Sequence, residues 1–351
     1  SVVWQVFGSG QSWPYHLVNI LLHAGVGASL VVVLGPVVGR TAAVVGAVVW
    51  AVHPVHTEAV TYVSGTADPL SLLFLLWALH AGSQGRRGAA VVLFVLSVLS
   101  KESGVVFLPC LLVWDYCTGR LERRKAGWYA VVGVVTVGYL VLRHVVLAGR
   151  PGPEGVALVP RVLTGFATLP VYVRLLVFPD RLALERHLAY LTDWRDGQFL
   201  AGLVIFLVLV GVLVVFRGKR RIFFCGAWFA GNWLFHSGIL FALNGNLREH
   251  WMYAASIGAC AAAGLCVEWA GRWRRGRVVA WCVAGALVAG YGVRTYLRNE
   301  DWKDPVRLCR KDLEVSWSSA LLRQWLGAFL SAEGRHAEAT AEYRLAALLS
   351  P

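Results

Sequence analysis

The chain has 351 residues, of which 57% are hydrophobic and only 15% are charged, and its formal net charge is +13. This balance is far more apolar than that of a soluble domain and excludes a water-soluble globular protein over most of the length. The positive charge does not indicate a nucleic-acid partner, because the basic clusters stand in short links between apolar segments. The sequence therefore predicts an all-α, polytopic membrane helix bundle.

Ten apolar segments are expected to cross the membrane. They lie at about 17–35, 41–52, 69–82, 89–100, 104–116, 127–148, 198–216, 222–241, 251–269 and 278–297. Threading them with every basic cluster on one side satisfies the positive-inside bias. The predicted cytoplasmic links are 82–88, 117–126, 217–221 and 271–277. The predicted exoplasmic parts are 53–68, 149–197, 242–250 and the C-terminal tail.

The run TGFATLPVYVRLLVFP at 164–179 needs a different interpretation. Counting it as a span would invert every later segment and place the basic run at 217–221 outside the cell. It also carries Pro170 and Arg174 in mid-run. We therefore predict a re-entrant or interfacial segment here, within a membrane domain that covers residues 1–298.

Two polar stretches follow apolar segments that are short for a membrane span. A straight span needs about 20 residues, whereas 41–52 and 89–100 offer about a dozen each, so their polar tips are expected to lie below the exoplasmic surface. Polar groups at membrane depth indicate function by default. The sequence predicts a recessed exoplasmic cavity that receives His53, His56, Glu58, Asp68, Lys101 and Glu102.

The chain becomes polar and amphipathic after Arg298, which predicts a soluble helical tail at 299–351. Six residues match the spacing of one tetratricopeptide repeat, namely Leu326, Gly327, Ala339, Tyr343, Ala346 and Pro351. Arg323 stands where such repeats usually have Trp. Because about three repeats are needed to bury a common core, we expect this tail to be the start of a longer exoplasmic repeat domain.

Six runs together carry a family resemblance. They are WPYHLVNILLHA (13–24), HPVHTEAV (53–60) followed by GTAD (65–68), LSKESGVVFLPCLLVWDY (99–116), RLLVFP (174–179), NLREHWMYAASIG (246–258) and NEDWKD (299–304). This order resembles the TMTC family, the transmembrane and tetratricopeptide-repeat-containing O-mannosyltransferases, and its bacterial relatives. The resemblance implies a GT-C glycosyltransferase fold.

The resemblance also implies a reaction. A mannose-like sugar would pass from a polyprenyl-phosphate carrier in the membrane to a Ser or Thr hydroxyl of a protein on the exoplasmic side, and the repeats would present that acceptor. The acidic catalytic motif of the family lies in a loop that would precede WPYHLVN, so the principal acid is expected upstream of Ser1. We accordingly expect this fragment to be inactive by itself, with Glu58 and Asp68 as its best catalytic carboxylates.

Three residues are expected to bind the donor phosphate: Lys101, Glu102 as the group that orients it, and Arg143. A fixed cation recessed at the interface suits a lipid phosphate. The alternatives are an ion pair that only neutralises charge at Lys101 and Glu102, and an Arg143 that snorkels to the interface.

Six residues are expected to line the cavity: His53, His56, Arg248, Glu249, His250 and Tyr253. For the two histidines, a hydrogen-bonded structural turn and a divalent-cation site remain as alternatives. No further Cys or His completes a ligand set, so no metal site is expected. No firmly bound cofactor is expected either, since the carrier-linked sugar is a substrate.

Two other functions compete with a transferase. A non-catalytic scaffold could gather envelope proteins through the repeats, but it would not need sunken charged tips. A transporter could use membrane-embedded His, Glu and Lys for proton relay, but the chain lacks the internal repeat of common transporter folds. The protein is expected in a bacterial inner membrane with its tail in the periplasm, or in the endoplasmic reticulum with its tail in the lumen.

Overall fold

The structure is a computed structural model that describes residues 12–148, 156–243, 245 and 247–349. Over these residues the chain folds into fifteen α-helices joined by short 3₁₀ turns, without a strand. The predicted all-α class is confirmed. The helices are α1 (Trp13–Val38), α2 (Arg40–Ala51), α3 (Thr57–Thr61), α4 (Ala67–Ser83), α5 (Arg87–Ser100), α6 (Phe107–Cys117), α7 (Ala126–Leu147), α8 (Leu158–Val177), α9 (Gly197–Val215), α10 (Arg220–His236), α11 (Met252–Ala270), α12 (Arg274–Asp301), α13 (Pro305–Leu313), α14 (Ala320–Ala332) and α15 (His336–Leu349).

Five helices of the described chain are long and apolar enough to cross a membrane. They are α1, α7, α9, α11 and α12, where α7 and α11 are extended by a preceding 3₁₀ turn. A sixth candidate is α2 together with Pro54–Thr61, a pair bent by 55° at the break between them. The bend is where HPVHTE interrupts the apolar run, because Pro54 disfavours a helical His53. The chain is an integral membrane protein.

The basic links gather at one end of the bundle, here named the basic end. Arg120 Nη1 donates to the carbonyl of Ser83 at 2.6 Å, and the Tyr116 hydroxyl donates to the carbonyl of Arg217 at 2.8 Å. The polar tips at 53–68, 100–103 and 247–250 gather at the other end, named the cavity end, where Lys101 contacts Asp68 and His250 contacts Glu58. This separation is what the threading requires, and the assignment of the basic end to the cytoplasm stays a prediction.

Helix α8 touches the cavity end with both of its halves. Near its start Arg161 Nε donates to the carbonyl of Gly238 at 2.9 Å, and near its end the Tyr172 hydroxyl donates to the carbonyl of Arg248 at 3.1 Å. The helix begins six residues before the predicted segment and contains Pro170. This position favours the interfacial interpretation, which stays a prediction.

Small residues let α11 pack backbone to backbone on its neighbours. A Cβ on Gly46 of α2 would lie 2.9 Å from the carbonyl oxygen of Cys260, and a Cβ on Gly264 would overlap the carbonyl oxygen of Ala42. On the other face of α11, a Cβ on Gly258 would overlap the carbonyl oxygen of Cys225 in α10. Close approach of this kind holds membrane helices together where the lipid removes the hydrophobic driving force.

The tail continues directly from α12. Asp304 accepts hydrogen bonds from the first backbone N–H groups of α13, and Ser319 does the same for α14. Helices α14 and α15 form an antiparallel hairpin in which the position of Gly327 lies against the ring of Tyr343. The predicted helix hairpin is present, and its assignment as a tetratricopeptide repeat stays a prediction.

We expect Gly264→Ala to lower the melting temperature of the detergent-solubilised protein, because the added methyl group must push α11 away from α2 at a cost of about 1–3 kcal/mol. Gly285→Ala in α12 is the matched control, since a Cβ there meets nothing within 4 Å and Ala is the better helix former. Equal melting of both variants would contradict backbone-to-backbone packing of α11.

Candidate functional site

A cavity of about 670 Å³ opens at the cavity end. It lies between the turn Glu102–Val106, helix α7, and the chain that follows α10. Its lining residues are Lys101, Glu102, Ser103, Val105, Leu140, Arg143, Phe235, His236, Phe241, Ala242, Leu243, Arg248, His250 and Trp251. Three cationic side chains and one carboxylate lie on an otherwise largely apolar wall, a combination that suits an amphiphilic ligand with a phosphate group.

Lys101 and Asp68 form the best-defined ion pair of this site. Lys101 Nζ lies 2.7 Å from both carboxylate oxygens of Asp68, and the two side chains are only 15% and 12% exposed. The helices that carry them are locked in register, since the Ser71 hydroxyl donates to the carbonyl of Ser97 at 3.0 Å. Of the polar stretches expected to share one recess, GTAD and SKES therefore meet at this pair.

The expectation that Glu102 orients Lys101 is wrong, because Asp68 takes that place. Lys101 has extended backbone angles while Glu102 begins a 3₁₀ turn, so their side chains diverge. Glu102 instead contacts Arg143 at 3.5 Å, with the two side chains 46% and 41% exposed. An exposed pair at this distance contributes about 0–1 kcal/mol. Arg143 is thus present in the cavity but loosely held.

Glu58 acts on the cavity through His250. Its buried carboxylate accepts the backbone N–H of His250 at 2.8 Å, and its second oxygen lies 2.6 Å from His250 Nδ1. An ionised carboxylate can only accept, so this contact keeps a proton on Nδ1. His250 lines the cavity, whereas Glu58 lies behind it.

A second group of contacts holds the outer wall of the cavity. Glu249 is buried, and its Oε1 accepts hydrogen bonds from the backbone N–H of Ala183 at 2.7 Å and from Nη2–H of Arg186 at 2.9 Å. Arg248 pairs with Glu185. Burial raises the pKa of the Glu185 carboxyl above its ordinary value, and the adjacent Arg248 opposes that rise. We name residues 182–186 the anchor loop.

The anchor loop also joins the tail. The backbone N–H of Leu184 donates to Asp312 Oδ2 at 2.7 Å, and Arg298 Nη2 donates to Asp312 Oδ1 at 2.7 Å. Both ion-pair partners are almost fully buried, at 3% and 0% exposure of their side chains. The cavity wall and the first tail helix are therefore fastened to the same short loop.

The structure places His53 and His56 in a buried interface and not on the wall of this cavity. His53 Nε2 lies 3.1 Å from the carbonyl oxygen of Leu176, and its Nδ1 accepts the N–H of Val55. The His56 ring packs on Trp50 with centroids 4.6 Å apart. This arrangement favours the alternative of a hydrogen-bonded structural turn.

A small recess of about 20 Å³, large enough for one water molecule, adjoins the cavity. Asp68, His236 and Tyr253 line it, so Tyr253 borders this recess and not the larger space. The Tyr253 hydroxyl lies 2.8 Å from His23 Nδ1. Over the described part of the chain, no three His, Cys, Asp or Glu side chains converge in a way that could hold a metal ion.

Sequence reasoning missed two contributors to this site, His236 and Arg186. His236 lines both the cavity and the recess, and its ring stacks on Trp251 with centroids 5.8 Å apart. A histidine near the end of the predicted span 222–241 was the signal that could have identified it. Arg186 had no such signal, because it lies in a polar loop far from its partner Glu249 in the chain.

Comparison with known proteins gives several relatives with one description. The chain is 25% identical over 359 residues to a Caenorhabditis elegans protein O-mannosyl-transferase, F38B6.6, covering 96% of this chain and 51% of that protein. It is 25% identical over 375 residues to human protein O-mannosyl-transferase TMTC3, covering 91% and 40%. Drosophila melanogaster protein O-mannosyl-transferase Tmtc1 is 34% identical over 122 residues, covering 33% and 13%.

The chain thus spans about half or less of the length of the curated relatives that it matches. No protein-family model matches it, and no solved structure gives a significant match.

We expect Asp312→Ala to loosen the anchor loop, because it removes the acceptor of the Leu184 N–H and leaves Arg298 buried without its main partner. Breaking a buried pair in this way costs about 3–5 kcal/mol. Limited trypsin digestion should then cut faster after Arg181 and Arg186. Glu314→Ala is the control, since Glu314 makes only an exposed contact with Lys311. An unchanged cleavage rate in Asp312→Ala would show that the tail does not hold the loop.

Proposed function

We propose that the chain, which is similar to protein O-mannosyl-transferases of the TMTC family, belongs to that family and moves a mannose-type sugar from a polyprenyl-phosphate carrier to a Ser or Thr hydroxyl of an acceptor protein. The observation that carries the proposal is the cavity of about 670 Å³ with Lys101, Arg143 and Arg248 on its wall. Transfer is proposed to occur on the exoplasmic side, at the cavity end.

The proposed role of the cations follows from the reaction. When the acceptor oxygen attacks the anomeric carbon, the bond from that carbon to the carrier phosphate breaks and the phosphate oxygen takes the electron pair. A fixed positive charge in a site poor in water stabilises this developing charge more than the bound donor. Lys101 meets that requirement best, because both carboxylate oxygens of Asp68 hold its ammonium in place.

Glu58 and Asp68 serve this mechanism as positioning residues. Asp68 is engaged by Lys101 and Glu58 by His250, so each acts through a side chain that reaches the cavity. Glu102 is the carboxylate that lines the cavity itself, at 46% exposure of its side chain. The principal acid, which deprotonates the acceptor, is proposed to lie in the loop that precedes WPYHLVN in the family.

The tail is proposed to guide the acceptor. Asp312 of α13 accepts a hydrogen bond from the anchor loop. The same loop is joined to the cavity wall, because its Glu185 pairs with Arg248 and its Ala183 N–H donates to Glu249. An acceptor segment bound along the repeats would therefore enter from a surface with a fixed position relative to the sugar. Fixed geometry of this kind is worth a large share of a transfer barrier.

A double substitution tests the phosphate role without leaving a lone buried carboxylate. In the complete protein, Lys101→Met with Asp68→Asn removes the pair and its cation. We expect a loss of roughly 10-fold to 150-fold in apparent donor affinity, since a charge-assisted contact contributes about 1.5–3 kcal/mol. The measurement is transfer of radiolabelled mannose from its polyprenyl phosphate to a Ser/Thr peptide at several donor concentrations.

The matched control is Lys125→Met with Asp115→Asn. This pair has the same chemistry, a separation of 2.9 Å and similar burial, but it lies at the basic end. It should lower the melting temperature without changing the donor dependence. A donor dependence that stays at the wild-type value in the Lys101 and Asp68 variant would remove Lys101 from the phosphate site.

A further inference from the structure

A second cavity, of about 810 Å³, lies at the basic end of the bundle. The link between α9 and α10, the start of α10 and the end of α11 enclose it. Its lining residues are Phe216, Gly218, Lys219, Arg220, Arg221, Ile222, Cys225, Ala262, Leu265, Cys266, Glu268, Trp269 and Arg272. Its volume lies within the range of ligand pockets, about 300–1,000 Å³.

This cavity is far from the proposed donor site. Helix α10 reaches from one to the other, because its first residue lines the basic-end cavity and its last, His236, lines the cavity at the other end. This helix has 17 residues, so at a rise of 1.5 Å per residue its two ends lie about 25 Å apart. A ligand at the basic end therefore cannot be the sugar donor in its reactive position.

The rim of the basic-end cavity carries more cations than its own acids can neutralise. Lys219, Arg220, Arg221 and Arg272 line it together with one acid, Glu268. Glu268 is bonded to Arg221 Nη1 at 2.8 Å. Within the described ranges the other three cations form no ion pair with a carboxylate, so the rim has a surplus of three positive charges.

The floor of the same cavity is apolar. Ile222, Ala262 and Leu265 form it, and Trp269 stands at its edge with 56% of its surface exposed. A tryptophan in this position is typical of the boundary between lipid and water. A soluble anion would pair with the cations of the rim but would not cover the apolar floor. An uncharged lipid would cover the floor but would not pair with the cations.

We propose that this cavity binds an anionic phospholipid, with its phosphate on Lys219, Arg220 and Arg272 and its acyl chains over Ile222 and Leu265. Basic pockets between membrane helices are suited to such headgroups, since each cation near the surface contributes to the attraction and the helices bury the chain. The ligand class is defined by both parts together, a phosphodiester with negative charge and a hydrocarbon tail.

Two exposed cysteines of the wild-type protein can report whether a lipid occupies this cavity. Cys266 is exposed and lines the cavity, whereas Cys282 is exposed on α12 outside it. Phosphatidylglycerol added to the detergent-solubilised full chain should slow alkylation of Cys266 by a maleimide and leave Cys282 unchanged, as followed by peptide mass spectrometry. Equal protection by phosphatidylcholine overturns the proposal, because binding would then not depend on the negative charge of the lipid. Equal protection by free glycerol phosphate overturns it as well, because binding would then not depend on the acyl chains.

Charge variants give an independent test. Lys219→Gln with Arg272→Gln should weaken binding of phosphatidylglycerol, measured by native mass spectrometry, by roughly 25-fold, at about fivefold for each cation. Arg86→Gln with Arg87→Gln is the matched control, since it removes two cations from the basic end outside the cavity. Wild-type binding by the first variant, or an equal loss in the control, overturns the assignment of the site.

Discussion

Two buried carboxylates that bind adjacent backbone N–H groups hold the cavity end together. Glu249 accepts the N–H of Ala183 and Asp312 accepts the N–H of Leu184, so the anchor loop is fixed by the membrane bundle through one contact and by the tail through the other. Each carboxylate is also paired with an arginine, which makes its burial tolerable. The outer wall of the cavity and the position of the tail both depend on this arrangement.

The three cations of the cavity differ in how firmly they are held. Lys101 is fixed by two contacts to a nearly buried Asp68, and Arg248 is paired with Glu185 beside the anchor loop. Arg143 has only a long, half-exposed contact with Glu102. A ligand phosphate would therefore meet two charges already in place and a third that can adjust, which limits the ordering cost of binding to one side chain.

The sequence was sufficient to predict the apolar helices and the approach of Lys101 to the polar stretch that carries Glu58 and Asp68, because apolar runs and short spans with polar tips follow from membrane thickness alone. It could not predict which acid holds Lys101, since that depends on backbone direction over two residues. His53 and His56 were assigned to the cavity because a polar turn and a polar cavity look alike in sequence. The aromatic partners that bury His56, such as Tyr253, come from distant helices.

Helix α7 has a consequence for the membrane around the protein. Only Trp128 and Val132 of its 22 residues are buried, and both lie in the half nearer the basic end. The other half, which carries Arg143, has no residue that the rest of the described chain buries, and is therefore left for lipid to cover. Its tilt must therefore follow hydrophobic mismatch, as a thicker bilayer draws such a helix upright and a thinner one inclines it. The depth at which Arg143 presents its charge is thus set partly by the thickness of the host membrane.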